Sequence, residues 1–313
     1  MNHFIKLILS VLIIASSHIN NVNALSVHKY LTVLPHEPNY EQLVYLEHDM
    51  LGVSVPESFD TRTNWPQCAS ISGHVRDQSN CGSCWAFGST EAFNDRYCIK
   101  TGDNTTLFST ANTLACCSGL SCGMSQGCNG GQPGSAWKWF VNTGVMSGGD
   151  YGDKSTCEPY PFPSCAHHVE PPTGMVACST LPEYSTPKCV STCDTGSELY
   201  TSDKRFKASS FYSLKRLDDI YQDIMKYGTV TATLSVYEDF ESYTGGVYKH
   251  LTGKYLGGHA IKLIGWGVDQ KTKEPYWLCV NSWNESWGEK GAFRILRGSN
   301  ECGIEAGIVA GQV

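Results

Sequence analysis

The chain has 313 residues, a formal net charge of −7 and fifteen cysteines. This length allows one large domain or two modest ones with a sizeable core. The acidic balance argues against nucleic acid or an anionic membrane as a partner. Cysteine is too frequent for an ordinary reducing compartment, so the composition predicts an oxidising one, and the odd count leaves at least one thiol unpaired.

Residues 1–24 predict a cleaved signal peptide. Lys6 supplies a weak positive start, residues 7–15 form a short apolar run, and residues 22–24 offer small side chains before a cleavage point. A transmembrane anchor is the alternative, but the apolar run is too short to cross the hydrocarbon core. We therefore expect the chain to enter the secretory pathway.

Residues 25–55 form a polar segment without cysteine, and its prolines Pro35 and Pro38 lie close together. Because the rest of the chain is dense in cysteine, this composition indicates a segment that can be detached. A mobile N-terminal arm is the alternative interpretation.

The run Cys81-Gly82-Ser83-Cys84-Trp85 precedes a predicted helix that ends near Cys98. Ser83 is a good N-cap residue, and the following apolar residues fall on one side of the helix: Trp85, Ala86, Ala92 and Phe93. Cys84 lies at the helix start, where unpaired N–H groups and the helix dipole favour a thiolate. Taken alone, Cys81 and Cys84 also fit a disulfide half, a redox pair or half a zinc site.

Two later segments are rich in cysteine. Residues 116–131 combine cysteine and glycine, which predicts a stapled loop, with a zinc site as a minor alternative. Residues 157–193 carry five cysteines, seven prolines and the pair His167-His168. No ordinary element fits such a segment, so we predict a long disulfide-clipped loop of the size that is commonly functional.

Hydrophobic periodicity predicts helices early in the chain and strands late. The predicted elements are helices Ala136–Asn142 and Leu217–Tyr227, then strands Val230–Val236, Val247–Tyr248, Ala260–Val268, Tyr276–Asn281 and Ala292–Leu296. This segregation predicts an α+β protein of two lobes with a cleft between them.

The segment around Cys84, together with Gln78, resembles the papain and cathepsin cysteine proteases. From about residue 55 to the end the resemblance is continuous, and residues 65–68 match the cathepsin B branch more closely than papain. His259 and Asn281 follow Cys84 in the order Cys, His, Asn that this family uses. The Cys84 to His259 interval exceeds the usual spacing by about the length of 157–193, which favours the same branch.

The resemblance implies a papain-like fold with an N-terminal helical lobe and a C-terminal β-barrel-like lobe. It divides the chain into a signal peptide (1–24), a short propeptide (25–55) that occupies the cleft until removed, and a catalytic domain (56–313). A catalytically silent papain-fold binding protein and a thiol oxidoreductase are the rival interpretations.

The resemblance also implies roles for individual residues. Cys84 is the nucleophile, His259 exchanges its proton, and Asn281 orients the imidazole. Trp283 shields the His259 to Asn281 contact from water. The Cys84 backbone N–H and the Gln78 amide would stabilise the oxyanion.

Four glycines are implied to contact substrate: Gly130, Gly131, Gly258 and Gly307. The first of these lie where the family pairs its backbone with bound peptide, a task that suits residues without a Cβ. Gly307 stands where cathepsin B enzymes that accept arginine at S2 carry a glutamate. A buried cationic P2 side chain would be unpaired there, so we predict a preference for apolar or aromatic P2 residues.

His167 and His168 resemble the histidines of the cathepsin B occluding loop, which covers the primed end of the cleft. The resemblance implies that they bind a peptide's C-terminal carboxylate, giving dipeptidyl carboxypeptidase beside endopeptidase activity. Asp77 is predicted to pair with His167. A second clasp of the family is missing, because residues 169–188 lack arginine and Ser286 replaces an aspartate, so we expect a loop that opens more readily.

The family pattern implies six disulfides: Cys68–Cys98, Cys81–Cys128, Cys116–Cys189, Cys117–Cys122, Cys157–Cys193 and Cys165–Cys178. Cys84 then stays free, and Cys279 and Cys302 are expected to be buried thiols. Asn104 and Asn284 begin glycosylation sequons, although the second lies near the cleft.

The expected partners are peptide and protein substrates, the chain's own propeptide as inhibitor, and cystatin-type inhibitors. The resemblance implies no cofactor or metal, no nucleic acid or membrane partner, and a monomer. We expect a lysosomal, endosomal or secreted location.

Overall fold

The computed structural model describes residues 31–33, 44–49, 52–193 and 205–313. The predicted signal peptide lies outside these residues. Within the described part of the chain, no helix has the length and apolar character needed to cross a membrane.

Residues 59–142 are mainly helical. The elements are β1 (Phe59–Asp60), α1 (Thr61–Asn64), α2 (Ala69–Ser72), α3 (Cys84–Thr101), α4 (Thr110–Cys116) and α5 (Pro133–Asn142). Their aromatic side chains form one core, in which Phe93 of α3 packs against Phe140 of α5 and against Phe108. This core is the helical lobe.

Residues 210–312 are mainly strands. The elements are β2 (Ser210–Leu214), α6 (Leu217–Tyr227), β3 (Val230–Tyr237), α7 (Glu238–Glu241), β4 (Val247–Tyr248), β5 (Tyr255–Val268), β6 (Pro275–Val280), β7 (Ala292–Leu296) and β8 (Ile308–Gln312). The strand order is β2-β8-β3-β5-β6-β7-β4, and β1 pairs with β5. Among these strands β4 runs parallel to β7, and the other pairings are antiparallel.

The two lobes meet where α3 lies against β5. A Cβ on Gly88 would lie 3.1 Å from the Ile261 backbone, so glycine allows the helix to approach the strand this closely. The hydroxyl of Thr231 on β3 donates to the Gly88 carbonyl at 3.1 Å and accepts from the Trp137 indole at 3.0 Å. These contacts fix the start of α3 relative to the sheet lobe.

The predicted α+β arrangement is confirmed, with differences in detail. Helix α3 continues to Thr101, where Gly102 adopts a left-handed conformation with φ of 80° and ends it. The expected one-sided burial of this helix is wrong: every residue from Cys84 to Arg96 is buried. Because α3 lies between both lobes, its polar side chains are buried as well.

The two cysteine-rich segments are loops with single 3₁₀ turns, at Leu120–Cys122 and Cys178–Thr180. All six predicted disulfides are present. Cys84 and Cys279 are buried free thiols, whereas Cys302 is only half-buried, so that expectation was wrong. Cys302 lies in the 3₁₀ turn Glu301–Gly303 at the protein surface, which leaves its side chain partly open to solvent.

Candidate active site

Cys84 is the first residue of α3 and is fully buried. Backbone N–H groups of Thr32, Ala260 and Trp85 hydrogen-bond its sulfur. Ala260 directly follows His259 in β5, so this contact brings the helix start next to the histidine. Ser83 holds the N-cap position, but its hydroxyl bonds the Tyr160 hydroxyl at 2.9 Å instead of capping the helix.

His259 is buried within β5, opposite Leu234 of β3. Its Nε2 lies 2.7 Å from the Asn281 Oδ1, and Trp283 packs against the imidazole with ring centroids 5.0 Å apart. Among the described residues, Nδ1 has no hydrogen-bond partner. The structure therefore brings the Cys, His and Asn of the sequence prediction into one buried site, with Trp283 covering it.

The predicted thiolate is not favoured in this form of the protein. Burial raises the pKa of the Cys84 thiol, and the surrounding hydrogen bonds offset only part of this rise. Burial likewise lowers the pKa of His259 to about 4, against the opposing effect of the Asn281 hydrogen bond. With both side chains fully buried, the neutral thiol and neutral imidazole are the stable pair.

Gln78 is fully buried beside this site. Its Nε2 donates to the Cys81 carbonyl at 2.9 Å, and its Oε1 accepts from the Ser282 hydroxyl at 2.7 Å. These two bonds join the helical lobe to the residue that follows Asn281, and they fix the amide near the start of α3.

Residues 31–33 cross the cleft and exclude water from it. Thr32 accepts from the Gly131 N–H at 3.1 Å through its carbonyl, and its hydroxyl donates to the Gly82 carbonyl at 2.6 Å. That hydroxyl also lies 4.0 Å from the Cys84 sulfur. On the other side, the Val33 N–H donates to the Gly258 carbonyl at 3.0 Å.

The glycines along the cleft differ in their contacts. A Cβ on Gly131 would lie 2.4 Å from the Trp85 ring, so no other residue fits there without displacement. Gly130 has φ of 113°, and its carbonyl accepts from the Gln126 N–H at 2.7 Å. Gly307 packs against Thr233, whose N–H donates to the Gly307 carbonyl at 3.1 Å.

The 157–193 loop is tied down through Asp77. Its Oδ1 lies 2.9 Å from the His167 Nε2, which confirms the predicted pair, and its Oδ2 accepts from the Cys165 N–H at 2.9 Å. Burial raises the Asp77 pKa, but the charge and hydrogen bond of His167 outweigh it and hold the pKa below its usual value. The imidazole of His167 stacks on Trp283 at a centroid distance of 5.9 Å.

Asn284 adds a loop contact that the sequence did not reveal. Its Nδ2 donates to the Asp77 Oδ2 at 2.8 Å and to the Cys165 carbonyl at 2.6 Å. The Ser286 N–H and hydroxyl donate to the Asn284 Oδ1 at 2.8 and 2.5 Å, which orients the amide toward the loop. Ser286 thus supports the loop indirectly, at the position where the family carries an aspartate.

A sequence profile described as "Papain family cysteine protease" matches residues 55–312. A Schistosoma japonicum protein named "Cathepsin B-like cysteine proteinase" is 47% identical over 270 residues, covering 86% of this chain and 76% of that relative. The chain belongs to the papain family of cysteine proteases, in its cathepsin B-like branch. "Cathepsin B-like cysteine proteinase 6" of Caenorhabditis elegans is 48% identical over 264 residues, or 83% of this protease and 67% of the relative.

Structures of relatives agree with this family. "proCathepsin B S9 from Trypanosoma congolense" has a TM-score of 0.75 and 34% identity, and covers 92% of this protease and 87% of that chain. A digestive procathepsin L 3 of Tenebrio molitor has a TM-score of 0.62 at 21% identity, over 92% of this protease and 77% of that chain, and supports the fold alone.

The disulfides remove two of the alternatives that the sequence left open. Cys81 is bonded to Cys128, so it cannot form a reversible redox pair with Cys84. The cysteines of the 116–128 segment are likewise all in disulfides and offer no thiolates to a zinc ion.

Sequence reasoning missed three residues at this site: Thr32, Asn284 and Glu241, whose Oε2 lies 3.5 Å from the His168 Nδ1. Thr32 lies in a segment without periodicity, and Glu241 is one of several acidic residues on a short helix. The signal for Asn284 was present in the sequon around it, but the side chain's contacts are with Asp77 and Cys165, which are 207 and 119 positions earlier in the chain.

Proposed function

We propose that the processed protease hydrolyses peptide bonds through Cys84 and His259, as an endopeptidase and as a dipeptidyl carboxypeptidase. The observation that carries the proposal is the arrangement of Cys84 at the start of α3, hydrogen-bonded by the residue next to His259, whose Nε2 contacts Asn281. The unpartnered Nδ1 of His259 is the nitrogen free to accept the thiol proton.

In this mechanism the cleft is first opened to water and substrate. Water solvates the charged forms, so the proton passes from Cys84 to His259 and the thiolate attacks the peptide carbonyl. The Cys84 N–H and the Gln78 amide stabilise the oxyanion, and His259 then protonates the leaving amine, which leaves the acyl group on Cys84 as a thioester. A water deprotonated by His259 hydrolyses this thioester, which releases the carboxylic acid product and restores Cys84. Asn281 keeps the imidazole oriented during both transfers.

Residues 25–55 act as the inhibitory propeptide in this proposal. Support comes from residues 31–33, which take the backbone partners Gly131 and Gly258 that a substrate would use. The similar procathepsin structure from Trypanosoma congolense is also that of a precursor. Removal near residues 54–56 would free the cleft.

The carboxypeptidase activity rests on the loop 157–193. His167 is held by Asp77, and His168 lies close to Trp283, with ring centroids 5.0 Å apart. The loop therefore carries an imidazole beside the residue that covers His259. A protonated imidazole there would bind the C-terminal carboxylate of a peptide placed with its last two residues beyond the scissile bond.

Substrate preference follows from the absence of an acidic residue at position 307. The nearby Glu305 is committed to other donors, because it accepts from the Trp277 indole and from two backbone N–H groups. A P2 arginine would lack a charged partner, so apolar or aromatic P2 residues are preferred.

The setting of the enzyme completes the proposal. It is a lysosomal or secreted monomer that cleaves peptides and proteins and is a target of cystatin-type inhibitors. Six disulfides fit such an oxidising route. Asn104 is exposed and suits a glycan, whereas the Asn284 amide is occupied by the loop.

The test compares two peptides of the same sequence, one with a free C-terminal carboxylate and one with a C-terminal amide. The processed enzyme should cleave both, and Cys84→Ala should cleave neither. His168→Ala should lower cleavage of the free-carboxylate peptide by about tenfold while sparing an internally cleaved protein. Equal cleavage of both peptides by wild type and His168→Ala would refute the carboxypeptidase part alone.

A further inference from the structure

The side chain of His168 faces an acidic residue of the sheet lobe. Its Nδ1 lies 3.5 Å from Oε2 of Glu241, the last residue of α7. The two side chains are mostly buried, with exposed fractions of 15% for His168 and 21% for Glu241. His168 also has φ of 54°, a left-handed conformation that costs energy for a residue with a Cβ. The loop thus holds its imidazole toward α7 by contacts that offset this cost.

Glu241 is fixed from the other side by the sheet lobe. Its backbone carbonyl accepts from the Trp287 indole at 3.0 Å, and Trp287 packs against Trp283 with centroids 5.0 Å apart. The preceding residue, Phe240, also packs against Trp283 at 5.9 Å. The carboxylate is therefore positioned by the same aromatic cluster that covers His259.

We propose that Glu241 competes with the C-terminal carboxylate of a peptide for His168 and thereby limits carboxypeptidase action to acidic conditions. This inference rests on the proposed carboxypeptidase function. When Glu241 is ionised, it occupies the imidazole and repels a second carboxylate. When it is protonated, the ion pair with Glu241 is lost and the imidazole can bind the substrate carboxylate.

The surroundings of Glu241 set the pH range. Burial, reinforced by the Glu238 carboxylate on the same helix, raises the pKa of Glu241 to about 7. Asp239, on the same helix, is directed elsewhere, because it accepts from the Leu251 and Thr252 N–H groups and pairs with His250. The charge of Glu241 therefore changes near neutral pH.

The other titratable groups of this cluster lie around Trp283. His167 stacks on that ring and pairs with Asp77, and His259 packs on it and contacts Asn281. His168 lies within 4 Å of a carboxylate of the sheet lobe, that of Glu241. A substrate carboxylate that displaces Glu241 would take over its role in stabilising the imidazolium.

The experiment measures, for the processed enzyme, the ratio of kcat/KM for a free-carboxylate peptide to that for its amide, from pH 5 to pH 8. We expect Glu241→Gln to raise this ratio about three- to tenfold above wild type at pH 7.5 and to change it less than about twofold at pH 5, since Glu241 is then protonated. Glu241→Leu should act in the same direction and serves if the glutamine variant does not fold.

Glu170→Gln is the matched control. It removes an equal charge from the loop that carries His168, but at an exposed position where solvent screens it, so the ratio should stay at the wild-type value. A ratio that depends on His168 but is unchanged in Glu241→Gln at every pH would overturn this inference alone. A ratio that does not respond to His168→Ala would overturn both the inference and the carboxypeptidase proposal.

Discussion

At the scale of single residues, the site depends on what surrounds each reactive group. A helix start favours a thiolate, yet burial beneath Thr32 favours the thiol, and burial is the larger effect in this form. Burial also favours the neutral form of His259, because it lowers the pKa of the imidazole. Removing the covering segment should therefore shift the protonation of both Cys84 and His259 toward their charged forms.

The first prediction concerns Asn281. Replacing it by alanine removes the acceptor for the His259 Nε2 and should lower kcat/KM on the order of 10², with little change in KM. The Asn281 hydrogen bond raises the His259 pKa, so the variant should lose its imidazolium at lower pH. The alkaline limb of the pH profile should therefore shift to lower pH. An unshifted profile with normal kcat would contradict an orienting role.

At the scale of elements, the loop 157–193 is held by a polar cluster instead of an apolar core. Asp77 and Asn284 together satisfy the backbone of Cys165, and the Cys165–Cys178 disulfide shares the small apolar cluster of the loop with Leu181. Buried hydrogen bonds to a charged group contribute about 1.5 to 3 kcal/mol each. Loss of one such contact is enough to shift the loop's equilibrium.

The second prediction tests this clasp. Asn284→Ala removes donors to Asp77 and to the Cys165 carbonyl, so the closed loop should become about tenfold less populated. The measured ratio of exopeptidase to endopeptidase activity should fall by a similar factor. Ser286→Ala is the control for the sequon: it also destroys the sequon and loses the Ser286 hydroxyl bond, but it keeps both Asn284 donors and the Ser286 N–H, so its effect should be smaller. Equal effects of both variants would point to a lost glycan instead of a lost clasp.

The third prediction concerns the contact between α3 and β5. Lys262 of β5 lies 3.6 Å from Glu91 and 3.3 Å from Asp95 of α3, all buried. Burial raises the Glu91 pKa to about 7, with Lys262 opposing. The folded state thus binds this proton more tightly than the unfolded state, and stability is lost as pH rises from about 4.5 to about 7.

The expected loss from Glu91 is about 3 kcal/mol across that range. Urea unfolding of a Cys84→Ala protein, which cannot digest itself, should show this decline, and Glu91→Gln should reduce it. Asp95 remains in the variant and its pKa is also raised by burial, so part of the slope should persist. Glu285→Gln, at an exposed position, should leave the slope unchanged. An undiminished slope in Glu91→Gln would refute the assignment.

At the scale of the whole molecule, the cleft lies where helical lobe and sheet lobe meet, and residues 31–33 bridge them. Thr32 contacts Gly82 and Gly131 of the helical lobe, and Val33 contacts Gly258 of the sheet lobe. One short segment therefore blocks both walls and excludes water from the reactive pair.

The fourth prediction follows from this arrangement. At pH 6, alkylation of Cys84 by iodoacetamide should be markedly slower in the precursor than in the processed enzyme, because burial raises the pKa of the thiol and covers its sulfur. Subtracting the rate of a Cys84→Ala protein corrects for Cys302, which is half-buried. Equal rates before and after processing would show that the segment does not cover the thiol in solution.

The sequence by itself determined the helices and strands whose periodicity is strong. It also indicated which residues to propose for chemical roles. Helix Leu217–Tyr227 and strand Ala292–Leu296 were predicted with their observed bounds, because their periodicity is local. The disulfides and the Asp77 to His167 pair followed from a resemblance to a known family, which carries tertiary information that periodicity lacks.

The tertiary structure alone decided what surrounds each helix and each reactive side chain. Helix α3 is buried on nearly all sides because both lobes pack on it, and this could not be read from its residues. The strand Ile308–Gln312 and the helix Thr110–Cys116 lacked a distinct local signal. The protonation of Cys84, the clasp of Asn284 and the pairing of Glu241 with His168 depend on groups distant in sequence, since burial and charge act through space and not along the chain.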